Sequence, residues 1–313
     1  MDLTQHMILT MIGIIMLCVG GNWLVNASVF LSQKLKINKL IIGITIVAIG
    51  TSIPELATSF AAIGIHDNLI LGNIIGSNIA NIGLVMGITL SISISVLPTS
   101  ELKKQLFVMI FVSIIYFILI TDDEISGYDG IVLLIIMGMF FIITYFDIKK
   151  DRQLQDDIGN IDQTLQFKSI LLMPFGILLL YVGSLLTVDN VVISAKLFGL
   201  SERIVGVSIV AIGTSLPELI TSTLAIRKKY SDIGVGNIIG SNIYNILFIL
   251  GISSILIPIQ ANLYVIYYDS IIMILFSCLF AILIIKTNKI SKVIGFCFII
   301  LYTVYLLFSF LID

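Results

Sequence analysis

The sequence predicts an all-α membrane protein with ten transmembrane helices, arranged as two inverted five-helix repeats. Three observations support this fold class. Of the 313 residues, 58% are hydrophobic and 12% are charged, whereas roughly 25% are charged in an ordinary soluble domain. Apolar runs of about 18 residues or more, long enough to cross a hydrocarbon core, recur along the chain. Two blocks of sequence are also repeated almost unchanged in the second half.

The ten predicted spans follow one another with mostly short loops between them. Their approximate bounds are 7–31, 40–62, 69–95, 104–121, 127–147, 168–195, 203–226, 233–257, 264–285 and 290–312. The first span lacks the basic start and the small-residue cleavage site of a secretory signal, so we interpret it as a retained helix.

The distribution of basic residues predicts the orientation, because loops rich in Lys and Arg remain cytoplasmic. Of the 17 basic residues, all but Lys196 and Arg203 lie in or beside loops that follow odd-numbered spans. The opposite side carries the acidic loop 122–124. Both termini are therefore expected outside the cell. His6 and His66 lie on that outer side, where we expect both to be solvated.

An internal repeat divides the chain into halves. Residues 43–59 match residues 206–222 at 13 of 17 positions, and residues 72–82 match 236–246 at 10 of 11. We therefore predict a first repeat at 1–147, a cytoplasmic linker at 148–167 and a second repeat at 168–313. Five crossings are an odd number, so the second repeat enters the membrane from the opposite face. Secondary transporters are built in this way, with substrate sites near the midplane.

Each half places a helix breaker inside a predicted span. Pro54 cannot donate a hydrogen bond to the carbonyl of Gly50, and its ring crowds that carbonyl, so the helix is expected to open around residues 48–51. Pro217 has the same effect in the second half. Freed carbonyls at membrane depth are tolerated only beside water or a bound ion, so a cation is their natural partner.

Polar side chains cluster around both breaks. In each half a glutamate shares a helical face with a threonine and a serine, and the next span adds a serine and an asparagine four residues apart. These residues are Thr51, Ser52, Glu55, Ser77 and Asn81, and then Thr214, Ser215, Glu218, Ser241 and Asn245. An all-oxygen set suits hard cations such as Ca2+ and Na+. Two carboxylates neutralise one Ca2+, so a site that alternates between one divalent ion and several monovalent ions fits best.

Small residues accompany these polar positions. Gly72 and Gly76, and likewise Gly236 and Gly240, have the small-xxx-small spacing that lets membrane helices approach closely. We expect these glycines to position the site rather than to bind ions.

The repeated motifs resemble those of a known family. Residues 50–55 (GTSIPE) and 72–78 (GNIIGSN), with their counterparts at 213–218 and 236–242, are similar to the two alpha repeats of sodium/calcium exchangers in the cation/Ca2+ antiporter superfamily. This resemblance implies Na+/Ca2+ antiport by alternating access, with a cluster of four cation positions near the midplane. It also implies a membrane transporter without a cofactor, rather than an enzyme, located in the plasma membrane of a prokaryotic cell.

The resemblance further implies which residues bind which ion. A central Ca2+ position would use Glu55 and Glu218 together with the backbone oxygens of Thr51 and Thr214. Flanking Na+ positions would use the Ala48 carbonyl, Ser52 and Ser77 in one half, and the Ala211 carbonyl, Ser215 and Ser241 in the other. Asn81 and Asn245 would close the middle of the cluster.

Departures from related families narrow the expected coupling. Some family members, including potassium-dependent exchangers, carry an aspartate where this chain has Asn245, which argues against K+ co-transport. The family resemblance implies exchange of three Na+ for one Ca2+, which moves one net charge. Proton-coupled relatives place an acidic residue shortly after the Gly-Asn pair, where this chain has neutral residues, so H+/Ca2+ or other cation antiport is the alternative. The short linker has no room for Ca2+-sensing domains. Separately, we expect a monomer to be functional.

An alternative function, from a different class of protein, is that of an intramembrane protease. Such an enzyme needs two carboxylates at comparable depth, and residues 127–130 (GYDG) contain one candidate, Asp129. Asp129 is expected at a helix start on the outer side, without a second aspartate at its depth. Symmetric glutamates beside proline breaks suit ion binding better.

Overall fold

The computed structural model describes residues 3–64, 67–92, 99–152, 163–197, 211–261, 263–286 and 292–312. Within these ranges, eight helices are long and apolar enough to cross a membrane, and one bent pair of shorter helices is a ninth candidate. Part of the predicted seventh span, 203–210, and His66 lie outside the described residues. The protein is thus an almost entirely helical, multi-span membrane protein, and the number ten remains a prediction.

The helices are numbered here in chain order. The first half contains α1 (Leu3–Leu35), α2 (Lys39–Thr51), α3 (Ile53–Ala62), α4 (Asp67–Ala80, continued by Asn81–Met86 and Gly87–Ile92), α5 (Ser100–Leu119) and α6 (Gly127–Arg152). The second half contains α7 (Gln163–Leu197), α8 (Ala211–Thr214), α9 (Leu216–Arg227), α10 (Ser231–Tyr244, continued by Asn245–Leu250 and Gly251–Leu256), α11 (Leu263–Lys286) and α12 (Lys292–Ile312). Two strands of two residues each, β1 (Glu124–Ile125) and β2 (Ile259–Gln260), pair antiparallel and join the loops before α6 and α11.

Both predicted helix breaks are present. The axes of α2 and α3 differ by 42° across Ser52, whose φ and ψ of −84° and 9° are not those of a regular helix. Ser215 separates α8 from α9 with nearly the same angles, −81° and 2°. In both cases a proline lies in the first turn of the following helix, where its missing N–H is tolerated.

The helices α4 and α10 form the centre of the molecule. Of their 18-residue apolar stretches, 78% and 83% of the residues are buried, compared with at most 39% in the other six long helices. Each contains a π-helical segment that begins at an asparagine, Asn81–Met86 in α4 and Asn245–Leu250 in α10. A third π-helical segment, Gly43–Val47, precedes the break in α2. Such segments are rare and frequently lie at functional sites.

Glycines bring α10 into backbone contact with α2. A Cβ atom added to Gly236 would lie 2.6 Å from the carbonyl oxygen of Leu40, and one added to Gly240 would lie 2.4 Å from that of Ile44. No larger side chain fits at either position without moving a helix. The predicted close approach of helices is therefore confirmed for these two glycines, but it is wrong for Gly72, where an added Cβ atom would have no described atom within 4 Å.

The long helices α1 and α7 pack closely along each other, again through glycines. A Cβ atom on Gly20 would lie 2.6 Å from the carbonyl oxygen of Gly176, and one on Gly13 would lie 2.8 Å from that of Gly183. Near the start of α1, Nδ1 of His6 lies 2.7 Å from Oδ1 of Asn190 in α7. His6 is only 5% exposed, so the expectation that it is solvated is wrong, because a partner on α7 replaces water.

A lysine ties α9 to α1. The amino group of Lys228, directly after α9, donates to the side-chain oxygens of Asn22 and Asn26 on α1, the second at 2.7 Å. Partial burial lowers the pKa of the Lys228 amino group. The contact holds the end of α9 against the middle of α1.

Candidate cation site

Two glutamates lie at the centre of the predicted cluster. Glu55 is in the first turn of α3 and Glu218 is in the first turn of α9, each directly after a helix break. Both side chains are completely buried, with 0% exposure. A helix N-terminus favours negative charge, and each break places its carboxylate at such an end. Sequence position and local structure therefore agree for both residues.

The carboxylate of Glu218 accepts hydrogen bonds from both halves. Ser52 of the first half donates to its Oε1 at 3.2 Å, and Ser241 of the second half donates to the same oxygen at 3.1 Å. The other oxygen, Oε2, is buried and accepts no hydrogen bond from the described residues. Ser52 and Ser241, two of the four predicted serines, thus lie beside this glutamate.

Glu55 is bonded differently. Neither of its buried carboxylate oxygens accepts a hydrogen bond within the described part of the chain. The buried hydroxyl of Ser215, which corresponds to Ser52 in the repeat, likewise has no partner there. Ser77, which corresponds to Ser241, instead lies 3.2 Å from the hydroxyl of Thr214. The two halves therefore have equivalent residues in unequal hydrogen-bonding arrangements.

The two predicted threonines are held by asparagines of the opposite half. The hydroxyl of Thr51 donates to Oδ1 of Asn237 at 2.9 Å and lies 3.4 Å from the hydroxyl of Ser241. The hydroxyl of Thr214 donates to Oδ1 of Asn73 at 3.3 Å. These contacts fix the residue that precedes each break.

The Ala48 carbonyl keeps its helical hydrogen bond, and its role as a Na+ ligand stays a prediction. This carbonyl is not freed by Pro54, because it accepts the backbone N–H of Ser52 at 3.0 Å and the hydroxyl of Thr51 at 3.3 Å. The carbonyl that loses its helical partner is that of Gly50, since proline has no N–H to donate. Ala211 begins α8 in the second half.

Asn81 and Asn245 face the opposite half through their amide nitrogens. Nδ2 of Asn81 donates to Oδ1 of Asn242 at 3.0 Å, and Nδ2 of Asn245 donates to Oδ1 of Asn78 at 3.0 Å. The side-chain oxygens of both predicted ligands are buried without a donor among the described residues. Both oxygens are thus left available to an external partner.

Sequence reasoning missed four asparagines that build this site. Asn73 and Asn237 hold the threonines, while Asn78 and Asn242 hold the amides of Asn245 and Asn81. The NH2 groups of Asn73 and Asn237 also donate to the hydroxyls of Ser59 and Ser222, respectively. The signal was present, because all four asparagines are identical between the repeated blocks. Their roles become visible only when the two halves are brought together.

The site combines negative charge with oxygen atoms that lack donors. Five buried oxygens, from Glu55, Glu218, Asn81 and Asn245, accept nothing from the described residues. A buried acceptor without a donor costs about 1–3 kcal/mol, and more when it is charged. The salt bridge found in the described part of the chain, Lys104 with Asp147, does not involve these residues. Bound cations would supply the partners that these oxygens lack.

The chain is similar in sequence to known proteins. A family model described as "Sodium/calcium exchanger protein" matches residues 5–146 and 168–311. The chain is 33% identical over 286 aligned positions to inner membrane protein YrbG of Escherichia coli K12, covering 88% of this chain and 87% of that protein. It is 30% identical over 353 aligned positions to the sodium/calcium exchanger MaX1 of Methanosarcina acetivorans, covering 99% and 100%.

A solved structure has the same fold. The sodium-calcium exchanger NCX_Mj, soaked with 100 mM Na+ and 10 mM Sr2+, superposes with a TM-score of 0.82 at 31% identity. The match covers 97% of this chain and 98% of that one. The similarity between the two proteins, in sequence and in structure, thus extends over nearly the whole length of both. The chain belongs to the sodium/calcium exchanger protein family, as its repeated motifs predicted.

Proposed function

We propose that this protein exchanges Na+ for Ca2+ across the membrane by alternating access. The observation that carries the proposal is the group of buried oxygens, from two glutamates and two asparagines, that accept no hydrogen bond from the described residues. The helices that carry these four residues belong to both halves of the chain. Cation antiport with Ca2+ is also the activity named by the family to which the chain belongs.

Ca2+ binds between the two glutamates in this proposal. Glu55 and Glu218 supply two negative charges, which neutralise one divalent ion and offset the cost of its desolvation. The backbone oxygens of Thr51 and Thr214 complete the position. Support comes from the hydrogen bonds that hold both threonine side chains against asparagines of the other half.

Na+ occupies flanking positions with fewer and more neutral ligands. The proposed ligands are the Ala48 carbonyl, Ser52 and Ser77 on one side, and the Ala211 carbonyl, Ser215 and Ser241 on the other. Asn81 and Asn245 complete the middle. The Ala48 carbonyl already accepts hydrogen bonds, but a carbonyl oxygen has a second lone pair, and the Ser52 and Ser241 hydroxyls can turn from Glu218 towards an ion.

We propose a stoichiometry of three Na+ per Ca2+, so that each cycle moves one net charge. The neutral amide of Asn245 supports this assignment, because the site then has two carboxylates and no third titratable group. K+ has no proposed role.

Alternating access follows from ten spans in two inverted repeats, 1–147 and 168–313, joined by a cytoplasmic linker at 148–167. We place both termini outside the plasma membrane and propose that a monomer, without a cofactor, carries the activity.

Asp129, the residue that suggested a protease, has a local role. Its Oδ2 accepts the backbone N–H of Ser126 at 2.8 Å and the Ser126 hydroxyl at 2.6 Å, while its own N–H donates to that hydroxyl. This reciprocal pair is a capping box at the start of α6. The arrangement supports a structural role for Asp129.

The test is Ca2+ uptake into sealed vesicles that contain the purified protein and Na+, diluted into Na+-free buffer. We expect uptake that requires internal Na+ and that accelerates under an inside-positive potential set by valinomycin and external K+, because net positive charge leaves. Glu55→Gln should abolish uptake, whereas Glu101→Gln, a carboxyl change at the start of α5, should retain it. Uptake that follows a pH gradient and ignores Na+ would establish proton coupling instead.

A further inference from the structure

We propose that Asn78 and Asn242 are positioning residues, which hold the amides of Asn245 and Asn81 so that both amide oxygens face the transported cations. The proposal rests on the function proposed above and extends it to residues that do not themselves bind ions. It follows from the way the four asparagines are connected across the two halves.

An asparagine ligand has an orientation problem. Its carboxamide carries an oxygen acceptor and an NH2 donor of similar size, and a half-turn exchanges the two. The oxygen attracts a cation, whereas the NH2 group repels it. A site that uses asparagine must therefore fix the side chain in one of the two orientations.

The structure fixes both ligands in the same way. Nδ2 of Asn245 donates to Oδ1 of Asn78, and Nδ2 of Asn81 donates to Oδ1 of Asn242, each at 3.0 Å. Both bonds cross from one half to the other. A half-turn of Asn245 or Asn81 would place two oxygens face to face, so each amide oxygen is directed away from its partner and into the cluster.

The positioning residues are fixed in turn by backbone atoms. Nδ2 of Asn78 donates to the carbonyl of Asn242 at 3.2 Å, and Nδ2 of Asn242 donates to the carbonyl of Asn78 at 3.3 Å. A backbone carbonyl only accepts, so it holds each NH2 group towards the opposite helix. Asn78 and Asn242 are 1% and 2% exposed, so water does not compete. Orientation thus passes from the backbones of α4 and α10, through one asparagine, to the ligand.

This arrangement predicts specific pairs of coupled residues. Asn78 acts through Asn245, and Asn242 acts through Asn81. The crossed pairs, Asn78 with Asn81 and Asn242 with Asn245, share no side-chain hydrogen bond among those found. Residues in one hydrogen-bonded unit are non-additive on mutation, whereas independent residues add. The two kinds of pair therefore provide a matched test within one protein.

The experiment measures how the Tm of the purified protein rises with Ca2+ and with Na+ concentration, from which the dissociation constant of each ion is obtained. Asn78→Ala is expected to raise the Ca2+ dissociation constant about tenfold, as loss of one hydrogen bond implies. The double variant Asn78→Ala/Asn245→Ala should lose little more affinity than Asn245→Ala alone. In the double variant Asn78→Ala/Asn81→Ala, the losses of affinity caused by the two single changes should multiply.

Several outcomes would overturn the proposal. A purely structural role lowers the ion-free Tm without changing the dissociation constant of Ca2+ or of Na+. Equal additivity in both kinds of pair would also refute it. If Asn78→Ala does not fold, two variants replace it. One is Asn78→Ser, in which the serine side chain is too short to reach Asn245, and the other is the equivalent change Asn242→Ala. Binding is measured apart from transport, so the two proposals can fail separately. If vesicles show no exchange but the effects of Asn78→Ala and Asn245→Ala on binding are coupled, the proposed function alone is refuted. If exchange is intact but these effects are additive, this inference alone is refuted.

Discussion

Replacement of Gly240 by alanine is expected to weaken cation binding by displacing α2. The new Cβ atom would lie 2.4 Å from the carbonyl oxygen of Ile44 and 2.7 Å from Cβ of Ala48. Favourable contacts between such atoms lie at about 3.5 Å or more, so α2 must move away from α10 by roughly 1 Å. Backbone atoms cannot rotate aside, as the end of a long side chain can.

The consequence for the site follows from the contacts of α2 near its break. The hydroxyl of Thr51 lies 2.9 Å from Oδ1 of Asn237, and a shift of about 1 Å takes this distance beyond the range of a hydrogen bond. Overpacking itself costs about 1–3 kcal/mol of stability. Loss of one hydrogen bond between neutral groups costs about 0.5–1.5 kcal/mol, which corresponds to roughly a two- to tenfold weaker affinity.

Two measurements check this expectation for Gly240→Ala. The half-saturating Ca2+ concentration for Na+-dependent uptake should rise by that factor, and the ion-free Tm should fall. Gly138→Ala is the matched control, because a Cβ atom there has no described atom within 4 Å and alanine is the better helix former. Gly240→Ala with the affinity of the unmodified protein would refute the argument, since α2 would then tolerate displacement without consequence for the site.

Three further changes have distinct expected results. Glu55→Gln should abolish the rise in Tm produced by Ca2+, because the remaining carboxylate cannot neutralise a divalent ion; an undiminished rise in a Ca2+ titration would exclude Glu55 from the site. Lys228→Met should lower the apparent Tm by a few degrees through loss of its contacts to α1, whereas Lys292→Met, at an exposed position, should not change thermal unfolding. His6→Ala should also lower the Tm, since it leaves the buried Asn190 oxygen without its partner at a cost of about 1–3 kcal/mol, and equal melting curves for the two proteins would contradict this.

The helix breaks and the positions of the glutamates beside them were predictable because they depend on local chemistry. Pro54 and Pro217 lack an N–H wherever they stand, and a glutamate after such a break lies in the first turn of the next helix. The repeat then identified equivalent positions without any knowledge of packing. For these residues the sequence pattern and the structure agree.

Other features depend on how the two halves meet, which local patterns do not encode. The π-helical segments that begin at Asn81 and Asn245 are not distinguishable from ordinary helix by hydrophobic periodicity, because one extra residue per turn changes that pattern only slightly. The partner of His6 is 184 positions away on α7, so its burial could not be inferred from a terminal position.

The unequal environments of the two glutamates are a property of conformation rather than of composition. Glu218 accepts bonds from Ser52 and Ser241, and the corresponding donors for Glu55, Ser215 and Ser77, are both present in the chain. Equivalent residues therefore allow either half to adopt either arrangement. For the proposed antiporter of two inverted repeats, we expect the opposite-facing state to arise when one repeat moves against the other around the site. In that state Glu55 would accept the two hydroxyl bonds and Glu218 would release them, so an asymmetric structure is compatible with a nearly symmetric sequence.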